Sequence, residues 1–417
     1  MKKSEIQLLN CLKGFLRREP VQIDRLEAKD WQEFLQLSYA HKVIPMVYDT
    51  IGNSALPHNI PKQYIEVWRN RAFQDIMIQV RKSNFFLDFY NQLNQAGISC
   101  MVLKGIVCRQ LYSKPDARPS GDEDLLLKRE DFAIFEQICN RNHFVHMEGS
   151  DSVSEAAFYH ADTQLKLEVH FELFSSQSDS YGDLNQPFMG VMERGTQVKI
   201  QGIPILTMKE TEHLLYLILH SFKHFIHSGF GIRQVCDIVV FAETYGEKLD
   251  WCYLMKETCQ FHADIFMMNL LDIGEQYLGF SSKKAGLPDS LKRAYQKDLD
   301  SKALLHDIFL AGIYGSSSRT RLHSSLITLN AVAAAKKTKK IRGAVLKTLF
   351  PKSKEIESSY PYLRKSRFLL PFAWVQRFYF YVRELMGRKK ETKNSAVDSI
   401  HLGKRRVSLM KKYGIIR

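Results

Sequence analysis

The chain has 417 residues, 45% of them apolar and 25% charged, a composition that excludes a disordered polymer and requires a packed core. The formal charge of +14 comes from 59 Lys and Arg against 45 Asp and Glu; 23 and 5 of these lie from Lys336 onward, leaving 36 and 40 before it. The basicity therefore belongs to the C-terminal stretch, and the body by itself is excluded as a uniformly basic nucleic-acid binder.

Along the chain, MKKSEIQLLNCLKGFLRREP starts basic, but Lys13, Arg17 and Arg18 break its apolar residues before a signal-peptide core can form, so it reads as an ordinary helix. Apolar positions in WQEFLQLSYAHKVIPMVYDTI and in VWRNRAFQDIMIQVRKSNFFLDFYNQLNQ recur at three and four residues, predicting an N-terminal helical region over 1–97. The period changes at Ile98 to Leu103, a short run of strand formers between Gly97 and Gly105. A short helix, IVCRQLYS, and a loop, KPDARPSGD, lead into a second strand, EDLLLK, followed by the amphipathic helix REDFAIFEQICNRN. HFVHME, QLKLEVHFEL, QVKIQG and IPIL are further strand candidates. Thr207 and Glu210 form a capping box that predicts a helix from Thr207 through about His227, and the pattern is helical from there on. The fold class is α+β: a small α/β core over 98–206, a helical domain over 207–335 closing its cleft, and a basic, aromatic-rich, partly disordered extension over 336–417. The seven cysteines are odd in number, scattered and without a C-x-x-C pair, which argues for reduced thiols and a cytoplasmic protein. The best apolar run, FLLPFAWVQRFYFYV from Phe368, is broken by Pro371, Gln376 and Arg377, so no transmembrane span is predicted.

The sharpest chemical feature is G-D-E-D-L-L-L at Gly121 to Leu127. Asp122 and Asp124, two apart on an extended segment, project to one side, and Glu123 points the other way. Two Mg²⁺ ions in nucleotidyl transfer need hard oxygen ligands on rigid backbone, which a D-x-D entering a strand supplies. By itself a D-x-D more often caps a turn; its company is Glu168, on a strand candidate where Glu168, His170 and Glu172 share one face. A carboxylate between apolar neighbours is costly unless paired, and a metal compensates it. A solvent-facing polar edge is the other reading, and it holds for Glu172.

The succession LKG at Leu103 to Gly105, Leu111-Tyr112, R-x-x-G-D-x-D-L-L at Arg118 to Leu126 and L-E-V-H-F at Leu167 to Phe171 resembles the uncharacterised nucleotidyltransferase family, a branch of the polymerase beta-like superfamily. AHKVIPMVYDTI upstream, and LLYLILHSFKH and GIRQVCDIVVF downstream, are similar to that family's flanking helices, so the resemblance covers roughly residues 30 to 260. It implies a minimal nucleotidyltransferase sheet, Mg²⁺ held by Asp122 and Asp124, and Glu168 as the third acid. Most superfamily members have Gly-Ser at the turn that grips the triphosphate; Lys104-Gly105-Ile106 stands there instead, with a longer gap to the D-x-D. Gly105 permits close backbone approach, the following helix start favours an anion, and Lys104 adds charge. Arg118 and Gly121 are placed with nucleotide binding as well.

Beyond Thr207, His220, His224 and His227 fall on one helix face with Lys223. An i, i+4 histidine pair can bind zinc, but without H-E-x-x-H the favoured reading is a cleft lining of His170, His220 and His224, with Lys223 and Arg233 on phosphate and Asp237 pairing with Arg233. In the extension, aromatics from Tyr360 to Tyr381 interleave with basic residues. Three readings stand: RNA binding, an interfacial helix from about Pro371 to Met386 on an anionic inner membrane surface, and aromatics packed on the body. The expected activity is Mg²⁺-dependent transfer of NMP from an NTP, ATP being the expected one, to an unidentified acceptor. The alternatives are a non-catalytic nucleotide-binding partner protein of a biosynthetic cluster and a tRNA-modifying nucleotidyltransferase.

Overall fold

The computed structural model describes residues 1–55, 60–147, 154–312, 319–337, 360, 362, 366–376, 379 and 396–416. Four helices open the chain: α1 (Lys3–Arg17), α2 (Ala28–Ala40), α3 (Ile44–Gly52) and α4 (Lys62–Gln95). The sheet follows with β1 (Cys100–Val102), a one-turn helix α5 (Ile106–Arg109), β2 (Glu123–Leu127), α6 (Phe132–Arg141), β3 (Val145–His146), β4 (Glu155–His160), β5 (Leu165–His170), β6 (Thr196–Ile200) and β7 (Ile203–Thr207). Helices then run on as α7 (Glu210–His227), α8 (Ile232–Tyr245), α9 (Trp251–Gln260), α10 (Asp264–Ile273), α11 (Asp289–Tyr295), α12 (Ser301–Ala311), α13 (Arg319–Lys336) and α14 (Ala396–Lys412). The fold is α+β, as expected. No described helix is long and apolar enough to cross a membrane.

The seven strands lie in the order β3-β4-β5-β2-β1-β7-β6, with β2/β5 and β1/β7 parallel and the other pairs antiparallel. Alternation along each strand sorts side chains between two cores. Val102, Leu125, Leu127, Leu167 and Val169 enter a core closed by Phe86, Phe89 and Leu93 of α4 and by Phe135 of α6. Met101, Leu103 and Leu126 point the other way, into a larger core that joins α1–α3 to α7–α10. Asp124, Glu168 and His170 are on this second face. The first half of α4 gives Trp68 and Ala72 to the larger core and the second half serves the other. At the junction Gln79, Lys82 and Ser83 are buried polar residues on one helix face.

Several boundaries depart from the sequence reading for local reasons. Thr207 does not cap α7: it ends β7, paired with Thr196, and its hydroxyl donates to Val102 O at 2.8 Å, while α7 starts at Glu210 after Lys209. Strand pairing thus carries the chain past the polar residue that would otherwise start the helix. β4 was not expected, because Ala156 and Ala157 lack a strand signature; its pairing with β5 along the whole of Glu155–His160 supplies it. The helix expected from IVCRQLYS is a single turn.

In the C-terminal stretch, Tyr360, Tyr362, Leu370 and Trp374 gather round Ala373 as a small cluster separate from the two main cores, and Phe368 is 96% exposed. Most of the proposed interfacial helix past Gln376, and the aromatics Phe378, Phe380 and Tyr381, lie outside the described residues. Within the part expected to be partly disordered, Ala396–Lys412 is helical, and Met410, Tyr413 and Ile416 are buried in the larger core. Arg406 of α14 donates to the carbonyls of Phe225 and His227, Arg321 of α13 donates to Ser228 O, and both approach Asp307. These arginines satisfy the last carbonyls of α7, which a helix cannot bond internally.

Two buried histidines make the fold acid-sensitive. His41 Nδ1 accepts from Ile232 N–H at 3.3 Å, and His213 Nε2 donates to Leu103 O at 2.6 Å, tying α7 to the end of β1. Burial pushes both imidazoles down to about 4. With folded values below the unfolded value of about 6.5, their contribution is fully present above pH 6.5 and is lost as pH falls toward 4. Stability is expected to fall by about 1.4 kcal/mol per pH unit for each histidine across that window. Urea unfolding at pH 7.5, 6 and 5 checks it: the His41→Gln/His213→Gln pair is to flatten the slope, and an unchanged slope rejects the assignment.

Candidate functional site

Parallel pairing of β2 with β5 sets Asp124 opposite Glu168 and Leu126 opposite His170. Asp124, Glu168 and His170 each offer a ligand atom within 4.8 Å of the others, a group that fits a divalent cation. Asp122, expected in that group, is half-buried just before β2 and is not one of the three, although it lies close enough to feel both other acids. Burial first, then the charges of Asp124 and Glu168, push the Asp122 carboxyl up to about 6. Burial acts in the same sense on Asp124, but Lys104 and His170 outweigh it and hold that carboxyl well below the usual range.

Basic side chains meet the acids directly. Lys104 Nζ stands 3.1 Å from Asp124 Oδ1 and 3.0 Å from His220 Nε2; Lys166 Nζ donates to Glu168 Oε1; His170 Nε2 is 3.4 Å from Asp124 Oδ1. On α7, His220 and His224 bring their Nε2 atoms to 3.2 Å. Burial, reinforced by the neighbouring lysines, keeps both imidazoles neutral well below their ordinary range. Lys223 Nζ lies 5.6 Å from the Tyr181 ring centroid, and its charge is felt by both histidines.

The other residues expected at the nucleotide have structural partners. Arg118 donates through Nε at 2.9 Å and through Nη2 to the Asp237 carboxylate, which also accepts from Tyr112 Oη at 2.7 Å. Asp237 is thus Arg118's partner and not Arg233's, as expected from spacing alone; Arg233 donates to Pro119 O. Helix α8 brings Asp237 to a loop more than a hundred residues earlier, a pairing no local spacing announces.

Glu123 carries a role that sequence reasoning left blank. Its side chain, 1% exposed, accepts from Ile106 N–H at 2.7 Å and from Arg109 Nη1 at 2.7 Å. The helix start expected to receive phosphate is therefore engaged by a carboxylate of the same chain. Gly105 (φ 60°) is what lets it approach: a Cβ there would lie 1.9 Å from Glu123 Oε2. Gly105→Ala is expected to cost about 1–3 kcal/mol in backbone strain alone. A loss of stability with Glu123 intact, read by thermal unfolding, checks this, and a neutral substitution counts against the contact.

Neither the curated proteins nor the solved structures gave a match to this chain. A family model described as an uncharacterised nucleotidyltransferase matches residues 27–279, a span that includes every residue of the site just described.

Proposed function

The chain belongs to the uncharacterised nucleotidyltransferase family, and from that premise we propose that it transfers NMP from an NTP, ATP first among them, to an acceptor, with magnesium held by Asp122, Asp124 and Glu168. The observation that carries this reading is the register of β2 and β5, which sets Asp124 beside Glu168 on the face shared with Lys104. His170 stands as a neighbour of the acids through its contact with Asp124. When bound, magnesium supplies positive charge to the attacking and leaving oxygens.

In the transfer, an acceptor oxygen attacks the α-phosphorus. The bond from that phosphorus to its bridging oxygen breaks, and pyrophosphate leaves with the electron pair. Glu168 takes the proton of an acceptor hydroxyl. Lys104 and Lys223 bind triphosphate oxygens, His170 lines the cleft, and neutral His220 and His224 line it without adding charge against the lysines.

Label transfer from each α-labelled NTP into a cell extract, with magnesium, tests the reading. Incorporation by wild type that is lost in Asp124→Asn is the expected result. NTP binding without incorporation or pyrophosphate release sinks it in favour of a non-catalytic nucleotide-binding protein.

A further inference from the structure

Besides Lys223, four lysines surround the acids, and two of them, Lys42 and Lys82, make no ion pair among the described residues. Lys104 and Lys166 are engaged with Asp124 and Glu168. Lys42 and Lys82 come from the N-terminal helical region. Lys42 follows α2 with φ 50°, and its Nζ would lie 3.8 Å from a Cβ on Gly121, the residue before Asp122. Lys82, on α4, is only 9% exposed and flanks the same loop: its neighbour Gln79 accepts from Ser120 N–H at 2.8 Å through Oε1, and its neighbour Ser83 accepts from Arg109.

Among the described residues neither ammonium has a hydrogen bond or ion pair. The acids near them are Asp122, assigned above to magnesium, Asp75, bonded to Arg71 at 2.9 Å, and Glu123, bonded to Arg109 at 2.7 Å. Burial pushes both lysines below their ordinary range; after burial, Arg233 has the same effect on Lys42, and Lys42 on Lys82. A buried ammonium with a structural role is normally paired, because leaving it unpaired is costly. Lys82 is such a buried ammonium without an ion pair, and the exposed Lys42 beside it brings a second positive charge to the loop before β2, which together make a place for an anion.

We propose that Lys42 and Lys82, with Arg233 near them, form a subsite beside Asp122 that holds a phosphoryl group of the acceptor. The inference rests on the transfer reading above and adds to it the acceptor class: a molecule that carries phosphate near the oxygen that attacks. Attacking and leaving oxygens stand in line across the transferred phosphorus. The two substrates therefore reach the acids from different sides, with Lys104 and Lys223 serving the triphosphate and Lys42 and Lys82 serving the acceptor.

Calorimetry on the full chain tests it with two probes, α,β-methylene-ATP with magnesium and inorganic phosphate, the latter titrated with and without saturating analogue. Wild type is expected to bind phosphate in both states. Lys42→Met and Lys82→Met each weaken phosphate at least tenfold, leave analogue affinity within twofold, and do not lower the melting temperature; Lys82→Arg retains phosphate binding. Unchanged phosphate affinity in the methionine variants overturns the subsite. Phosphate excluded by the analogue, with analogue affinity lost tenfold in Lys82→Met, assigns the lysines to the triphosphate and also overturns it. A lowered melting temperature with both affinities lost assigns them a structural role. If wild type does not bind the analogue, the transfer reading fails, and the analogue-free phosphate titration alone decides the subsite.

Discussion

Asp124→Asn is expected to lower nucleotidyl transfer by on the order of 10³-fold, about 4 kcal/mol of transition-state stabilisation. Asp124 is where the site converges: it is the register partner of Glu168, and Lys104 and His170 both reach its Oδ1. An amide keeps the shape but removes the negative charge that a hard cation needs and that holds Lys104 in place. Fold loss must be separated from chemistry, so the variant is compared with wild type by thermal unfolding in chelator and by pyrophosphate release with magnesium. A folded Asp124→Asn protein that releases pyrophosphate at the wild-type rate removes Asp124 from the site.

Glu123→Ala is expected to do the reverse, acting on the fold before the chemistry. Arg109 and Glu123 are almost wholly buried, and the carboxylate also holds Ile106 N–H. Truncating it leaves a guanidinium and a backbone N–H in the interior, a loss of about 3–5 kcal/mol when one partner of a buried pair is removed. Replacing both partners by apolar groups of similar size is far less costly, so Arg109→Met/Glu123→Leu is expected to recover much of the stability. Urea denaturation of the two single variants and the pair makes a double-mutant cycle. Additive losses, with no recovery in the pair, would show that the two residues are not coupled. In D-E-D, the outer residues are thus expected to fail in the assay and the middle one in the melting curve.

How far the sequence announces this arrangement depends on distance along the chain. The alternation of Asp122, Glu123 and Asp124, and of Lys166, Glu168 and His170, is local, so the side each residue takes is readable from a period of two. The β2/β5 register is not local, yet the apolar residues of both strands admit one face and so bring Asp124 level with Glu168. The partners of Arg118 and Glu123 were not readable, because Asp237 and Arg109 arrive through helix packing. The same holds for Lys42 and Lys82: a lysine on a helical pattern reads as solvated, and only the fold places them over the loop before β2. Thr207 misled for the opposite reason, a strong local cap signal overruled by strand pairing.

Arg406 and Arg321 bind the last carbonyls of α7, the helix that bears His220, Lys223 and His224. Cutting the chain at Lys336 to remove its positive charge therefore takes away more than charge. It reopens one end of the helix that sets His220 beside Lys104, so weakened RNA or lipid binding in such a fragment would have two causes. Arg406→Gln in the intact chain separates them, since it loosens that end while leaving almost the whole basic stretch in place; the C-terminal segment is in this sense a clamp as well as a charge.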